Sequence, residues 1–480
     1  MIKTQFLPIR YGILAIQLRN SELVYLIESP CSSQSMPQNP HSIPSNDAEI
    51  PASKPGNLGR LLAVKSLFTG KGARAGYLAA ADQAVISLSN FLGTIILARQ
   101  VSPTELGVYG VGFIAINLTR ALQEGLIVQP LNVFGAPMDD STFKRYASSS
   151  AVLQVLLAAT LALLAAAGGW LLTITGNDTA GPAVFALWFA VLGWQLQEFC
   201  RRALYSRGRV FNALANSILA NTVRLGLMVL WGAQGRLSGV TALTAIGWGS
   251  FAALVPGLWS TRDYWTRDIL SLGYTLKNNW AFGRWILGGS VANWLSVEFY
   301  PVLTAGMISF AAAGAYRALQ NLVAPIHLLL RAIDTFFTPR AARLYEQSGK
   351  PGLARLLGLV YLATAFPMLG VLVVAVLFRQ SLLHFLYGDT YLEYSQGIVL
   401  MVIFYALLYA YGPLQSAFKA MRLSRPIFIA NMVATIAMIT IGIMAILRWG
   451  VYGTLGGQVI NALLVNIILW ESWRRAKGGN

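Results

Sequence analysis

Long apolar stretches recur along most of the chain. Six of them, each 21 to 25 residues long, carry no Asp, Glu, Lys or Arg: 151–172, 237–261, 356–378, 394–418, 427–447 and 449–470. A helix that spans a bilayer needs about 20 mainly apolar residues. The stretches are rich in Leu, Ala and Gly and do not alternate with period two, which argues against an outer-membrane barrel. The pattern predicts a polytopic α-helical membrane protein.

The apolar and polar spacing over the rest of the chain predicts twelve spanning helices in all. They cover 76–98, 108–130, 148–172, 181–199, 213–232, 238–260, 281–302, 308–333, 356–378, 396–418, 426–447 and 450–470. We number these predicted helices 1 to 12. Helices 1 to 6 form a predicted first lobe over 76–260, and helices 7 to 12 a second lobe over 261–480.

Residues 1–75 differ from the remainder. Six prolines lie among Ser, Gln and Asn between positions 30 and 55. Such a composition cannot bury a hydrophobic core, so we expect a disordered tail or an over-long start to the chain. The apolar stretch 6–27 is interrupted by Arg10, Arg19 and Glu22 and has no clear cleavage site, unlike a signal peptide.

Composition supports the membrane assignment. Charged residues make up 11% of the chain and hydrophobic residues 55%, whereas a soluble domain carries about 25% charged residues. The net charge of +17 would suggest nucleic acid on a soluble protein, but the positive residues flank predicted spans, so we expect no nucleic-acid partner. Neither Cys31 nor Cys200 has metal-ligand spacing with the three histidines, and nothing indicates a cofactor.

The connecting segments predict the orientation. If the N-terminus is cytoplasmic and the helices alternate, 25 Lys and Arg residues fall on the cytoplasmic side and four fall outside: Arg99, Arg236, Arg379 and Arg448. Cytoplasmic loops carry the excess of Lys and Arg in membrane proteins. We therefore expect both termini in the cytoplasm.

Ionisable residues within predicted spans are the candidate functional residues. Each costs at least about 2.5–3.5 kcal/mol at mid-membrane, so such residues face a bundle interior or water. The candidates are Asp82, Arg120, Glu124, Arg224, Glu298 and Arg317. Because a guanidinium stays charged and donates bidentate hydrogen bonds, Arg120, Arg224 and Arg317 could bind phosphate.

Each candidate also has a structural interpretation. Arg120 and Glu124 are four residues apart and could pair with each other on one helix face. Arg224 and Arg317 lack a local acid and could pair across helices with Asp82 or Glu298. The carboxylates Asp82, Glu124 and Glu298 could couple transport to an ion, because a low-dielectric cavity raises a carboxylate pKa, or they could balance arginines.

A faint repeat relates the two halves. Gly107-Val-Tyr109 in predicted helix 2 corresponds to Gly314-Ala-Tyr316 in predicted helix 8, and two further matches follow at offsets of 209 and 211 residues, against 207 for the first. Six helices separate the copies, an even number, so both halves would face the same way, as in transporters with two parallel bundles.

Several stretches resemble the polysaccharide transporters of the multidrug/oligosaccharidyl-lipid/polysaccharide exporter superfamily, namely 89–99, 102–109, 314–317, 339–343 and 386–388. The resemblance covers roughly 76–475 and implies two six-helix lobes that form a V around a central cavity. It implies transport by alternating access of polyprenyl-pyrophosphate-linked oligosaccharide from the cytoplasmic to the outer leaflet of the bacterial inner membrane. Such flippases supply surface polysaccharides such as lipopolysaccharide or exopolysaccharide, beside polymerases and glycosyltransferases.

Two other functions remain open at this point. An ion-coupled exporter of small cationic drugs would have the same fold, but its cavity should be acidic. A membrane enzyme, or an assembly partner of a polymerase, would need a catalytic constellation. The chain has no phosphate-binding GxxxxGK[ST] loop and no nucleophile motif, and its loops are too short for a catalytic domain.

Overall fold

The computed structural model describes residues 71–135, 137–421, 423 and 425–476. Contacts divide the chain into Met1–Leu61 and Leu62–Asn480, and every described residue belongs to the second unit. The predicted tail therefore lies, up to residue 70, outside the described residues. Its last five residues are helical, because the first described helix begins at Lys71.

The described residues form helices and contain no strand. Twelve long helices follow one another: α1 Lys71–Gln100, α2 103–135, α3 Asp140–Ile174, α4 Ala180–Ser206, α5 Val210–Ala233, α6 Gly239–Ser260, α7 272–307, α8 310–348, α9 350–377, α10 Gly397–Ala420, α11 425–449 and α12 451–475. Each overlaps the predicted helix of the same number. The all-helical membrane fold is confirmed.

Local sequence explains where several helices begin and turn. The hydroxyls of Ser102 and Ser309 accept hydrogen bonds from backbone amides at the first turns of α2 and α8, as N-cap residues do. Two glycines divide continuous helical runs: Gly349 (φ 59°) separates α8 from α9, and Gly450 (φ 54°) separates α11 from α12. Positive φ strains any residue with a Cβ, so glycine suits both turns.

Three of the helices contain one π-helical turn. These turns are Glu124–Val128 in α2, Trp294–Glu298 in α7 and Met438–Gly442 in α11. A π turn inserts one extra residue and often occurs at functional sites. The polar Gly288-Gly289-Ser290 and Asn293 segment in the sequence comes directly before the second of them.

The outer surface of the bundle is apolar. Nine helical stretches among the described residues are long and apolar enough to cross a membrane by length and composition. The stretch Arg425–Arg475 counts once among them although Gly450 divides it, and α7 and α8 fall outside the criterion. Side chains such as Leu362 and Phe366 on α9 are 76% and 87% exposed. A surface of this kind suits lipid rather than water, and the chain is a multi-pass membrane protein.

Hydrogen bonds and ion pairs join connecting segments at two ends of the bundle. At one end, which we call the basic end, the start of α3 meets the end of α4 and the α6–α7 link through Arg207–Asp140 and Arg145–Asp268. Lys350, after the α8–α9 turn, donates to the carbonyl of Trp473 at 2.6 Å. At the opposite end Glu105 accepts from the amide of Gly239 at 2.6 Å. The connecting segments that are joined at each end are the ones that the predicted alternation of helix direction places on the same side.

The helices α2 and α8 cross at a symmetric contact near the opposite end. A Cβ on Gly107 would lie 1.7 Å from the carbonyl oxygen of Phe310, and a Cβ on Gly314 would lie 2.0 Å from that of Pro103. Each residue and its counterpart are 207 residues apart, the offset of the sequence repeat. The two backbones are close because neither glycine has a side chain.

Candidate functional site

Arg224 lies in the middle of α5 and is almost fully buried, with 6% of its surface exposed. Its Nη1 donates to the Asn90 side-chain oxygen on α1 at 2.9 Å. Its Nε and Nη2 have no hydrogen-bond partner within the described residues. The helix α6 packs closely against Arg224, since a Cβ on Gly249 of α6 would lie only 3.2 Å from the Arg224 Cβ. The chain thus buries a guanidinium with two donors unpaired.

Arg317 comes from the second half of the chain, on α8. Its Nη1 donates to Gln320 Oε1 at 2.8 Å, and its guanidinium lies 5.0 Å from the centre of the Phe113 ring on α2. The stem packs over Gly110, where a Cβ would lie 3.4 Å from the arginine Cβ and Cγ. Gly110 is the counterpart of Arg317 in the repeat, 207 residues earlier. The missing side chain on α2 therefore provides the space for this arginine.

Arg224 and Arg317 lie around the same part of α2. Arg317 packs over Gly110, the neighbour of Tyr109, and Arg224 is within electrostatic range of both the Tyr109 hydroxyl and Arg317. Among the described residues, Arg224 Nε and Nη2, Arg317 Nε and the Tyr109 hydroxyl are buried without a hydrogen-bond partner. Unpaired buried polar groups each cost about 1–3 kcal/mol, and charged groups cost more. The site is rich in donors and poor in acceptors, which suits an anion. We call these three residues the arginine site.

Arg120 is not part of the arginine site. It lies on α2 ten residues beyond Gly110, roughly 15 Å along the helix. It is half-buried and forms no ion pair or hydrogen bond within the described part of the chain. The Arg120–Glu124 pair that the spacing allowed is not formed. Glu124 instead accepts from Gln129 at 2.7 Å and pairs with Arg202 at 3.7 Å.

Asp82 pairs with Arg201, which lies two residues beyond the end of predicted helix 4. Its Oδ2 lies 2.5 Å from Arg201 Nη1 and accepts from the Tyr205 hydroxyl at 2.7 Å. Arg201 also binds Glu198 at 2.6 Å, and Arg202 binds Glu198 at 2.8 Å. Asp82, Glu198 and Arg201 are 2%, 4% and 7% exposed. The pairing of Arg224 with Asp82, one of the two interpretations above, was wrong.

We call Asp82, Glu124, Glu198, Arg201 and Arg202 the ionic network. Its last three members were not predicted as candidates, because α4 runs to Ser206, seven residues beyond predicted helix 4. A signal was present, since Glu198 precedes the two arginines by three and four residues, the spacing of neighbours on a helix. Two of the 25 counted cytoplasmic charges therefore lie inside the bundle.

Glu298 ends the π turn of α7 and is half-buried. Two amides of α12 brace this turn: Gln458 donates to the carbonyl of Val297 at 3.1 Å, and Asn461 donates to that of Ser296 at 3.0 Å. Gln458 also donates to the Tyr316 hydroxyl at 2.9 Å. The irregular turn is thereby connected to the residue next to Arg317. Within the described residues no three His, Cys, Asp or Glu side chains group as metal ligands.

Solved structures with a similar fold include transporters. The chain superposes on an inward-facing multidrug resistance MATE family transporter of the MOP superfamily with a TM-score of 0.69 and 14% identity, covering 81% of this chain and 94% of that one. It superposes on the lipid II flippase MurJ in an inward closed conformation with a TM-score of 0.63 and 15% identity, covering 83% and 87%. A MOP superfamily transporter from Pyrococcus furiosus gives 0.60 and 15%, with 85% and 97% covered. The fold is that of MOP superfamily transporters.

The family follows from the sequence match. Residues 96–396 match the family of polysaccharide biosynthesis proteins, which is more than half of the chain. The chain belongs to this family, and the resemblance found in its sequence is confirmed. No curated protein sequence matches the chain.

Proposed function

We propose that this protein is a flippase that carries a polyprenyl-pyrophosphate-linked oligosaccharide from the cytoplasmic to the outer leaflet by alternating access. The observation that carries the proposal is the arginine site, in which Arg224 of the first half and Arg317 of the second half are within electrostatic range of each other and have unpaired buried donors. A pyrophosphate offers several acceptor oxygens to these donors. Membership of the polysaccharide biosynthesis family supports a sugar-lipid cargo.

The arginine site lies where the two halves of the chain meet, so a bound anion would contact both. The two halves contact each other at both ends of the bundle, and we call these two contact regions the seams. In alternating access the two seams would open in turn. At the opposite end, α2 and α8 cross at Gly107 and Gly314, and Arg99 Nε donates to the Leu386 carbonyl at 2.8 Å. At the basic end, Asn279 of α7 donates to the Leu126 carbonyl of α2 at 3.0 Å. Substrate binding to both halves can shift such an equilibrium only through differential contacts in the two states.

The site argues against the drug-exporter alternative. A cationic drug would meet two guanidinium groups, and like charges at close range repel. The carboxylates Asp82 and Glu124 do not offset this, because each is held in the ionic network by an arginine. We assign charge balance to Asp82 and Glu124, and no coupling role to Glu298. Arg120 remains a second candidate contact for the cargo, roughly 15 Å along α2 from the arginine site.

Lysine substitutions test the cargo. Arg224→Lys and Arg317→Lys keep the charge but remove the planar fork that binds two phosphate oxygens. We expect at least a tenfold loss of surface polysaccharide in a flippase-deficient strain, at unchanged protein level in the membrane. Arg236→Lys is the matched control, because Arg236 is exposed in the α5–α6 connection, and it should transport normally. Normal transport by both site variants would refute the proposal.

We also propose that the protein lies in the bacterial inner membrane with the basic end in the cytoplasm, since Lys and Arg concentrate there. The test is labelling of single cysteines with a membrane-impermeant reagent, after Cys31 and Cys200 are replaced by serine. Asp178→Cys, exposed in the α3–α4 turn, should react in intact cells. Arg267→Cys, exposed in the α6–α7 link, should react only after permeabilisation. The reverse result would invert the topology.

The proposed partners follow from this role. A flippase receives its cargo from glycosyltransferases on the cytoplasmic side and delivers it to a polymerase on the other. We propose no catalytic step for the chain itself, because the arginine site supplies donors for binding but no nucleophile.

A further inference from the structure

A long apolar groove lies between α8 and α9, away from the arginine site. It has a volume of about 390 Å³ and is lined from α8 by Leu329, Ile333 and Phe337. The α9 side includes Val360 and Met368. The α8 residues follow one another at intervals of four, so they share one helix face. The groove is a continuous feature of two neighbouring helices.

The dimensions of the groove match one leaflet of a bilayer. Its lining runs from Leu329 to Arg340 on α8 and from Leu356 to Met368 on α9, which is roughly 16–18 Å of helix at 1.5 Å per residue. The hydrocarbon core of a bilayer is about 30 Å thick, so one leaflet is about half of that. An extended chain within the groove would span the apolar part of one leaflet.

The groove opens to lipid along its side. Leu359, which lines it, is 62% exposed, and Leu362 and Phe366 on the same helix are more exposed still. In a spanning helix these side chains contact lipid tails. A hydrocarbon chain could therefore enter from the bilayer without crossing a polar surface.

One end of the groove is basic. Arg340 lines this end, and the exposed Arg355 precedes the lining residue Leu356. The segment 340–355 around the α8–α9 turn carries four basic residues and one acidic residue, Glu346. An apolar chain held in the groove would place an anionic group at its end beside these guanidinium groups.

We propose that the groove between α8 and α9 binds one segment of the polyprenyl chain of the carrier lipid in a loading step, in which the phosphate lies beside Arg340 and Arg355 before it moves to the arginine site. The inference rests on the proposed function and adds a lipid-binding site to it. A single channel fits one isoprenoid chain, and two guanidinium groups fit a headgroup with more charge than the single phosphate of an ordinary two-chain phospholipid. The chain would stay in lipid while the sugar passes between the two halves.

The experiment measures lipid binding rather than transport. The full-length protein, in nanodiscs of zwitterionic phospholipid, is incubated with undecaprenyl phosphate, and the bound lipid is counted by native mass spectrometry. Ala363→Phe fills the groove, because Ala363 lines it. Ala365→Phe is the matched control, since Ala365 is an exposed α9 residue outside the lining. Both variants are first checked for equal thermal stability.

We expect the wild type and Ala365→Phe to retain one undecaprenyl phosphate that a tenfold excess of phosphatidylglycerol does not displace. Ala363→Phe should bind at least tenfold more weakly, and Arg340→Gln several-fold more weakly. Equal binding by the two phenylalanine variants, or displacement by phosphatidylglycerol, would overturn the proposal. If the wild type binds the lipid in the groove but transports no lipid-linked sugar, the lipid-binding proposal stands and the proposed function falls. If it transports the sugar but binds no lipid in the groove, the proposed function stands and the lipid-binding proposal falls.

Discussion

Replacing Arg224 with methionine should leave the fold at least as stable as the wild type while it abolishes transport. Methionine has nearly the length of the arginine stem but no charge and no donor. The wild-type residue is 6% exposed, with Nε and Nη2 unpaired within the described residues. A residue retained for stability would have its donors satisfied, so the two roles of Arg224 predict opposite results.

The magnitude follows from the contacts. Two unpaired buried donors cost about 1–3 kcal/mol each, and the substitution removes both. It also removes the charged hydrogen bond to Asn90, worth about 1.5–3 kcal/mol. The balance runs from about 1 kcal/mol against the variant to about 4.5 kcal/mol in its favour. We therefore expect an unchanged or higher Tm.

Arg201→Met is the matched control. Arg201 is as buried as Arg224, but carboxylates of Asp82 and Glu198 bind it. Removing one partner from a buried ion pair costs about 3–5 kcal/mol, because the remaining charges are left uncompensated. This variant should lose several degrees of Tm or fail to accumulate.

The assay is thermal unfolding of purified protein in nanodiscs, followed by tryptophan fluorescence, with and without undecaprenyl pyrophosphate. Ligand at 100 times its Kd stabilises a folded state by about 2.7 kcal/mol. The wild type should gain stability from the lipid, and Arg224→Met should gain much less. A loss of more than about 2 kcal/mol in Arg224→Met without ligand would contradict this prediction, because the arginine would then support the fold.

Three further substitutions probe the seams and the ionic network. Gly314→Ala should block transport without preventing insertion, because its Cβ would lie 2.0 Å from the Pro103 carbonyl. The control Gly226→Ala, whose Cβ would meet nothing within 4 Å, should transport normally. Transport by Gly314→Ala would show that the close crossing of α2 and α8 is not required. Arg99→Ala should make the arginine site more accessible from the opposite end, because it removes the hydrogen bond to the Leu386 carbonyl. Accessibility is measured by cysteine labelling, and unchanged labelling would count against a seam at that end. Asp82→Asn should destabilise the protein by about 1–3 kcal/mol. In a double-mutant cycle with Arg201→Met, the two losses of stability should not add. Strictly additive losses would contradict the pairing of Asp82 with Arg201.

The class of the protein and the order of its helices can be predicted from local properties of the sequence. Apolar length is a local property of the chain, and the bilayer thickness sets the length that a span requires. The alternation of basic connections is equally local. For this reason all twelve predicted helices overlap observed ones, and the segments predicted at one end are joined there, as Arg145 and Asp268 are.

Residue spacing on one helix did not predict the partner of Glu124. Arg120 and Glu124 do share a face, since the helix is regular up to Glu124 and its amide donates to the Arg120 carbonyl, but the Glu124 carboxylate binds Gln129 and Arg202 instead. A π turn begins at Glu124, and in such a turn residues five apart face each other. Gln129, five residues on, accordingly binds Glu124 at 2.7 Å, and Arg120 has no such partner within the described residues.

Which charged residues become partners depends on how the helices pack. Asp82 and Arg201 are 119 residues apart and meet because α1 packs near the end of α4. Arg224 and Arg317 come within electrostatic range of each other because Gly110 on α2 leaves space for the second arginine. The sequence shows that ionisable residues lie in spans and are costly there. Which of them are neutralised and which stay unpaired depends on helix packing across the two halves, and that difference is what singles out the arginine site.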